Sequence, residues 1–302
     1  MSLIVRGDAA KPATFDAMAR KAEETGLDTL WCSDHLIIPK LTVSKYPGRA
    51  DGQFPEPWKT TYWQPFSVLG YLAGRTSTVR LGTSVLILPM RNPIEVAAQV
   101  AELDVLSGGR MNFGVGVGWF VEETETLGYP FKLRGARANE GLAICKALWT
   151  EQPATYKGKF YQLDTASFGP KPMQKPHPPI YIGGHTAGAL RRVARFGDVW
   201  HPFKVTPALL KEARPELTRH MEAMGRDVAR LPIAPKVPLT FQAGPPREGQ
   251  FPTEGRTIDI LDGIRAYRDE GATEMTFDIL VETLDNALAT MDRLSADVRP
   301  RL

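Results

Sequence analysis

The 302 residues include 43% hydrophobic and 24% charged residues, which is typical of a globular protein with one large core. The formal net charge of +3 and the lack of basic runs disfavour nucleic acid as a partner. No apolar run reaches the roughly 20 residues that span a bilayer, so no membrane partner is predicted. The sequence has no signal-peptide pattern, and its two cysteines, Cys32 and Cys145, are far apart. These two features predict a cytoplasmic protein.

Strand and helix patterns alternate along the chain, and several helices end on a glycine that leads into the next strand, as at Gly26, Gly197 and Gly271. The predicted strands are 2–6, 28–33, 79–87, 111–116, 179–183, 198–201, 232–241 and 273–279. The predicted helices are 13–25, 64–75, 93–107, 136–149, 186–196, 206–224, 257–270 and 283–297. Eight such units predict one α/β domain over residues 1–302, a (β/α)₈ TIM barrel, with a doubly wound sheet as the alternative.

Two segments interrupt this alternation. The first is residues 36–63, after the second predicted strand, and it holds the prolines and aromatic residues Pro39, Pro47, Pro55, Pro57, Tyr46, Phe54, Trp58, Tyr62 and Trp63. Long loops are commonly functional or disordered, and the aromatic content disfavours disorder, so a lid over the C-terminal face of the barrel is predicted. The second is residues 150–178, before the fifth predicted strand. It contains a hairpin pattern at 156–161, and we interpret it as an insertion on the cofactor side, the alternative being a covering of the barrel wall.

Glycines cluster where two predicted strands end. The fourth strand leads into Gly114-Val115-Gly116-Val117-Gly118-Trp119, and the fifth leads into Gly183-Gly184-His185-Thr186 at a predicted helix start. Glycine lets backbone N–H groups approach an anion, and a helix N-terminus favours negative charge. The pattern predicts a phosphate-bearing cofactor, the alternative being tight turns alone. The spacing differs from G-x-G-x-x-G, so a Rossmann NAD site is not predicted.

Acid–base residues stand at the end of the second predicted strand, in Ser33-Asp34-His35. Barrel enzymes place their active sites at this end of the strands, and a carboxylate beside an imidazole suits proton transfer near neutral pH. The alternative is a helix-capping Asp34 beside a partly buried His35. No two histidines have the spacing of a metal-binding pair, which disfavours a catalytic metal.

Ordered motifs extend over residues 12–298, among them Ser33-Asp34-His35, Arg80-Leu81-Gly82-Thr83-Ser84-Val85-Leu86, Ser107-Gly108-Gly109-Arg110, Gly114 to Trp119 and Ile182-Gly183-Gly184. In this order they resemble the luciferase-like monooxygenase superfamily, and within it the coenzyme F420-dependent oxidoreductases. The resemblance implies the (β/α)₈ barrel, coenzyme F420, a small-molecule substrate and a homodimer. One alternative is an FMN-dependent monooxygenase served by a separate flavin reductase, and another is a non-catalytic flavin-binding protein.

The resemblance also implies roles for individual residues. Asp34 and His35 match an Asp-His pair beside the deazaflavin ring, with His35 as the proton donor or acceptor. Ser84 and Val85 match a bulge that carries a non-proline cis peptide bond under the ring. The remaining cofactor-binding residues implied in this way are Gly116, Val117, Gly118 and Trp119 near the cofactor tail, and Gly183, Gly184, His185 and Thr186 around its phosphate.

One departure from the resemblance bears on the substrate. Sugar-phosphate dehydrogenases of this group carry a glutamate directly after the Gly-x-Gly loop, where this chain has Trp119. Glu122 and Glu123 follow three and four residues later, at a predicted turn or helix start. The departure disfavours a sugar phosphate, and together with the aromatic segment it implies hydride transfer to or from an apolar ketone, alcohol or enone.

Overall fold

The computed structural model describes residues 1–40, 42–49, 51–54, 60–279 and 283–302. Its strands are β1 Thr29–Cys32, β2 Arg80–Thr83, β3 Leu86–Ile87, β4 Met111–Gly116, β5 Ala154–Lys157, β6 Gln162–Ala166, β7 Ile180–Gly183, β8 Val199–His201, β9 Lys236–Phe241, β10 Glu254–Gly255 and β11 Thr276–Ile279. Its α-helices are α1 Pro12–Thr25, α2 Pro65–Ala73, α3 Pro93–Leu106, α4 Val121–Thr126, α5 Arg134–Thr150, α6 Ala187–Phe196, α7 Pro207–Ala223, α8 Thr257–Asp269 and α9 Leu284–Arg293. Across these residues no helix is long and apolar enough to cross a membrane.

Parallel strands form a closed barrel. β1, β2, β4, β7 and β8 pair in that order, and β9 pairs with β11. Two further contacts close the barrel. Trp200 of β8 pairs with Ile233, which precedes β9. Ser2 joins β1 to β11, because it pairs with Trp31 of β1 and its N–H donates to the carbonyl of Phe277 in β11 at 2.9 Å. The predicted (β/α)₈ barrel is confirmed, and the doubly wound alternative is wrong.

Four predicted strands differ from the observed ones by more than one residue at an end, and the eighth, 273–279, begins only at Thr276. Residues 2–6 make bridges at Ser2 and Arg6 rather than a regular strand, since Arg6 pairs antiparallel with Tyr62 instead of continuing along the barrel. The seventh predicted strand begins only at Lys236, and before it Ile233 makes an isolated bridge to Trp200. The predicted strand 79–87 is divided into β2 and β3 at Ser84 and Val85.

The barrel packs against its helices through large apolar side chains. Phe113 of β4 meets Trp149 of α5 edge to face, with ring centroids 5.6 Å apart, and the Trp149 indole N–H donates to the Ala97 carbonyl of α3 at 2.9 Å. The close spacing of β2 and β4 requires a glycine at position 114, where a Cβ would overlap the Thr83 carbonyl oxygen. These contacts fix the positions of the strand ends at which the predicted site lies.

The predicted hairpin before the fifth barrel strand is present. β5 and β6 pair antiparallel, as the pattern at 156–161 predicted. The turn between them packs on α5, where the Glu140 carboxylate accepts hydrogen bonds from the Lys159 and Phe160 N–H groups at 2.7 and 2.9 Å. The hairpin therefore packs on the barrel wall at α5, which is the alternative placement and not the cofactor side that was predicted.

Candidate functional site

A buried imidazole–carboxylate pair lies at the C-terminal end of the barrel strands. His35 follows β1, and Glu123 lies on α4, which follows β4. His35 Nδ1 is 2.7 Å from Glu123 Oε2, and Glu123 Oε1 accepts hydrogen bonds from the N–H groups of Leu36 and Ile37 at 2.6 and 3.3 Å. The Glu123 side chain has no solvent exposure and His35 is 8% exposed. From the sequence, Glu123 was predicted to lie at a turn or helix start and was assigned no role. Its position shortly after the glycine loop was the one feature that pointed to the site.

Aromatic rings surround His35. Tyr62 and Phe54 lie with ring centroids 5.1 and 5.4 Å from the imidazole, and Trp119 and Phe120 both lie at 6.2 Å. Trp119 stacks on Phe120 at 4.5 Å with an interplanar angle of 8°. The glycine loop and the predicted lid segment therefore meet at His35, in an apolar setting.

The described part of the segment 36–63 is held at the ends of two barrel strands. Tyr46 packs against Trp119 at 5.2 Å, and Lys204, which follows β8, donates from Nζ to the Gly48 carbonyl at 2.9 Å. The segment thus crosses the C-terminal end of the barrel between β4 and β8. The predicted lid residues Pro55, Pro57 and Trp58 lie outside the described residues.

Asp34 forms its ion pair with Arg91, and none of the contacts between described residues joins its carboxylate to His35. Arg91 donates from Nη2 to Asp34 Oδ1 at 2.6 Å, and the Ile87 N–H donates to Asp34 Oδ2 at 2.9 Å. The Asp34 carboxylate has no solvent exposure and Arg91 retains 17%. Gln64, at the end of the segment after β1, accepts a further hydrogen bond from Arg91 at 2.9 Å. Both Asp34 oxygens are thus engaged in fixing the segment after β3 to the segment after β1.

The peptide bond between Ser84 and Val85 is cis, as the resemblance implied. The Ser84 hydroxyl lies 2.9 Å from His201 Nε2, while His201 Nδ1 lies 2.6 Å from the Ala234 carbonyl. A carbonyl only accepts, so Nδ1 carries the proton and Nε2 accepts the Ser84 hydroxyl proton. Lys236 donates from Nζ to the Ser84 carbonyl at 3.2 Å. Side chains from β8 and β9 therefore hold the bulge from inside the barrel.

The His201 network predicts a specific loss of stability in acid. Burial, with a smaller effect from the Lys236 cation, lowers the pKa of His201 to about 3. An unfolded histidine binds its proton near pH 6.5, so between pH 6.5 and 3 the unfolded chain holds one more proton than the folded protein at this site. This contribution destabilises the folded state as the pH falls, by about 1.4 kcal/mol per pH unit.

Urea unfolding at several pH values between 6.5 and 4 checks this expectation. The variant His201→Gln lacks the titrating group, so its free energy of unfolding should fall less steeply with acidification than that of the parent protein. Carboxylates contribute equally to both curves and cancel in the difference. Parallel curves for the two proteins would contradict the assignment of a neutral, buried His201.

The predicted glycine loops converge on Val85. A Cβ at Gly116 would lie 2.5 Å from Val85 Cγ2, and one at Gly183 would lie 3.1 Å from Val85 Cγ1, so both loops pack against the bulge because they have no side chain there. Gly118 and Gly184 have φ values of +78° and +93°, in the left-handed region that favours glycine.

The second loop continues into an exposed turn at the start of α6. The Thr186 hydroxyl caps this helix by accepting from the Ala189 N–H at 3.4 Å, and His185 and Thr186 are both exposed. The first N–H groups of such a helix have no partner within it and attract anions. Among the residues that the structure describes, no group of three or more histidine, cysteine or acidic side chains is arranged to hold a metal ion.

Comparisons with known proteins agree with this architecture. An uncharacterized protein from Mycobacterium tuberculosis is 30% identical over 287 residues, covering 93% of this chain and 92% of that protein. An F420-dependent glucose-6-phosphate dehydrogenase from Kineococcus radiotolerans is 32% identical over 241 residues, covering 78% of this chain and 66% of that enzyme.

Solved structures show the same fold. The monooxygenase RslO1 from Streptomyces bottropensis superimposes with a TM-score of 0.77 at 17% identity, covering 99% of this chain and 98% of its own. An F420-dependent secondary alcohol dehydrogenase in complex with an F420–acetone adduct gives 0.76 at 18% identity, covering 96% and 95%. The family model for luciferase-like monooxygenases matches residues 5–245. The chain therefore belongs to the luciferase-like monooxygenase family that its motifs predicted.

Proposed function

We propose that the protein is a coenzyme F420-dependent oxidoreductase, which transfers a hydride between the deazaflavin and a small organic substrate while His35 handles the accompanying proton. The main support for the proposal is the buried His35–Glu123 pair, whose Nδ1 and Oε2 atoms are 2.7 Å apart and lie next to aromatic rings. The pair lies at the C-terminal end of the barrel strands, where enzymes of this fold have their active sites. The F420-dependent relative from Kineococcus radiotolerans supports the choice of cofactor.

The residues present fit such a cofactor. Val85 offers an apolar surface on the bulge, flanked by Gly116 and Gly183, for one face of a planar ring. The turn from Gly183 to Thr186 leads into the α6 N-terminus, where the N–H groups of Ala187 and Gly188 have no partner within the helix and would suit a phosphate. When bound, F420 supplies the ring carbon that accepts or donates the hydride. The chain's own contribution is to bind the ring and the phosphate, and to hold a proton at His35.

An apolar ketone, alcohol or enone is the proposed substrate class. The rings of Phe54, Tyr62, Trp119 and Phe120 next to His35 support it, because they offer apolar surface and few hydrogen-bond partners. The missing glutamate that disfavoured a sugar phosphate is a weaker argument than the sequence suggested, since Glu123 places a carboxylate at the imidazole. Glucose 6-phosphate therefore belongs among the compounds to be tested.

Cofactor titration separates this proposal from an FMN-dependent monooxygenase, the second candidate, which the family and the RslO1 likeness support. The purified protein is titrated with F420 and with FMN, and binding is followed by fluorescence. We expect saturable F420 binding in the micromolar range and no saturation by FMN. Tight FMN binding with weak F420 binding would reverse the assignment.

Turnover is then measured spectroscopically on a panel of ketones, alcohols, enones and glucose 6-phosphate, with oxidised and with reduced F420. An apolar compound that changes the F420 absorbance supports the proposed class, and activity confined to glucose 6-phosphate would replace it. Saturable F420 binding with no turnover of any compound would favour a binding protein without catalysis.

A further inference from the structure

Glu123 is a buried carboxylate whose oxygens all face donors. Oε1 accepts from the N–H groups of Leu36 and Ile37, and Oε2 faces His35 Nδ1. Within the described residues, the ion pair with His35 is the one that the Glu123 side chain makes. A buried carboxylate without a partner costs several kcal/mol, so these donors are what allow it to lie there.

The contacts of Glu123 bear on which nitrogen of His35 carries the proton. Oε1 accepts from two backbone N–H groups, so the Glu123 side chain is bound as a hydrogen-bond acceptor, and the matching role for His35 Nδ1, 2.7 Å from Oε2, is that of donor. The neutral imidazole has one N–H and one lone pair. With Nδ1 donating to Glu123, the lone pair is on Nε2.

We propose that Glu123 is a positioning residue, which fixes His35 in the Nδ1–H tautomer and leaves Nε2 as the nitrogen that exchanges a proton with the substrate. The part of this inference that concerns the substrate rests on the proposed function, and the tautomer does not. When Nε2 takes up a proton, the positive charge formed on the ring lies 2.7 Å from the Glu123 carboxylate, which stabilises it without becoming protonated.

The neighbouring Glu122 provides a matched control. Its Oε2 accepts from the Ser44 hydroxyl at 2.5 Å and its Oε1 accepts from the Ser44 N–H at 3.1 Å, and it makes a further hydrogen bond to the Val43 N–H. It thus holds the same loop segment by similar hydrogen bonds but does not touch His35. A substitution at Glu122 therefore reports what loss of a loop-binding carboxylate does by itself.

Glutamine at position 123 tests the tautomer directly. In Glu123→Gln the amide oxygen can still accept from Leu36 and Ile37, while the amide nitrogen replaces Oε2 and can only donate to His35 Nδ1. The imidazole must then carry its proton on Nε2. Long-range ¹H–¹⁵N spectra of ¹⁵N-histidine-labelled protein distinguish the two tautomers, and the His35 signals are assigned by their loss in His35→Gln.

We expect the Nδ1–H tautomer in the parent protein, in Glu122→Gln and in Glu123→Asp, and the Nε2–H tautomer in Glu123→Gln. An Nε2–H tautomer in the parent, or an unchanged tautomer in Glu123→Gln, would overturn the proposal. The parent spectrum alone decides this if Glu123→Gln does not fold. The measurement needs no cofactor, so failure of F420 binding with the expected spectra would remove the proposed function and leave the tautomer assignment in place.

A kinetic readout tests the link to the substrate. With a substrate found in the panel, Glu123→Gln should lower kcat at least tenfold and keep the F420 affinity of the parent, and Glu123→Asp should recover part of the loss. Equal loss of kcat in Glu122→Gln and Glu123→Gln would show that the loop position alone matters, and it would overturn the positioning role.

Discussion

Replacing His35 by alanine should slow turnover by about 10²–10⁴-fold while leaving F420 affinity close to that of the parent protein. The imidazole lies next to the rings of Tyr62 and Trp119, and its Nδ1 is 2.7 Å from the Glu123 carboxylate. Its removal should therefore affect proton transfer more than binding. The measurements are the initial rate with a substrate from the panel and the dissociation constant for F420.

Loss of packing would give a different result. If His35 only fills space, the alanine variant should lose thermal stability while its folded fraction turns over at the parent rate. His220→Ala is the control, because His220 lies on α7 with its side chain 21% exposed and paired with Glu216 at 3.4 Å, away from the strand ends. This control should keep both the rate and the affinity. An activated enone can take its proton from solvent, so the rates are compared with an alcohol or a ketone.

Asp34→Asn should lower the free energy of unfolding by about 3 kcal/mol. The substitution keeps the size of the side chain but leaves the Arg91 guanidinium without its carboxylate, 2.6 Å from a neutral and fully buried amide. The value lies at the lower end of the range for broken buried ion pairs because Arg91 is 17% exposed and keeps its hydrogen bond to Gln64. Denaturant unfolding of both proteins at neutral pH provides the measurement.

The exposed ion pair between Arg49 and Asp51 supplies the comparison, with Nη2 and Oδ2 also 2.6 Å apart. Both of its side chains are more than 40% exposed, so Asp51→Asn should leave the unfolding free energy nearly unchanged. Similar losses of unfolding free energy in the two variants would mean that burial does not make the Asp34–Arg91 pair more stabilising than an exposed pair. Full stability of Asp34→Asn with weakened F420 binding would instead favour the ring-side role that the resemblance implied.

Local patterns in the sequence were enough to predict the barrel. Buried strands and amphipathic helices are recognised from patterns within short stretches of sequence. Glycines such as Gly116 and Gly183 indicate that another part of the chain packs closely against the backbone there. The cis bond at Ser84 and Val85 came from family resemblance, since no local pattern requires it. The prediction therefore succeeded where information is contained in neighbouring residues or in a shared motif.

The partners of the site residues could not be predicted in the same way. Glu123 lies 88 positions from His35, and Arg91 lies 57 positions from Asp34. Both pairs exist because parallel strands bring their C-terminal ends to one edge, and the sequence does not indicate which side chains then meet. A carboxylate at a helix start is common on protein surfaces, so the sequence alone gave no reason to expect that Glu123 is buried.

The adjacent carboxylates on α4 have a consequence for redesign of the barrel. Active-site loops of such barrels are usually regarded as separate parts that can be exchanged one at a time. Here Glu122 and Glu123 bind backbone N–H groups of the segment after β1, at Ser44 and Leu36 among others. Because main-chain groups are the same for every residue type but proline, the amino acids at those positions can vary while the path stays fixed. A graft that changes substrate preference must therefore transplant the β1 segment and α4 together.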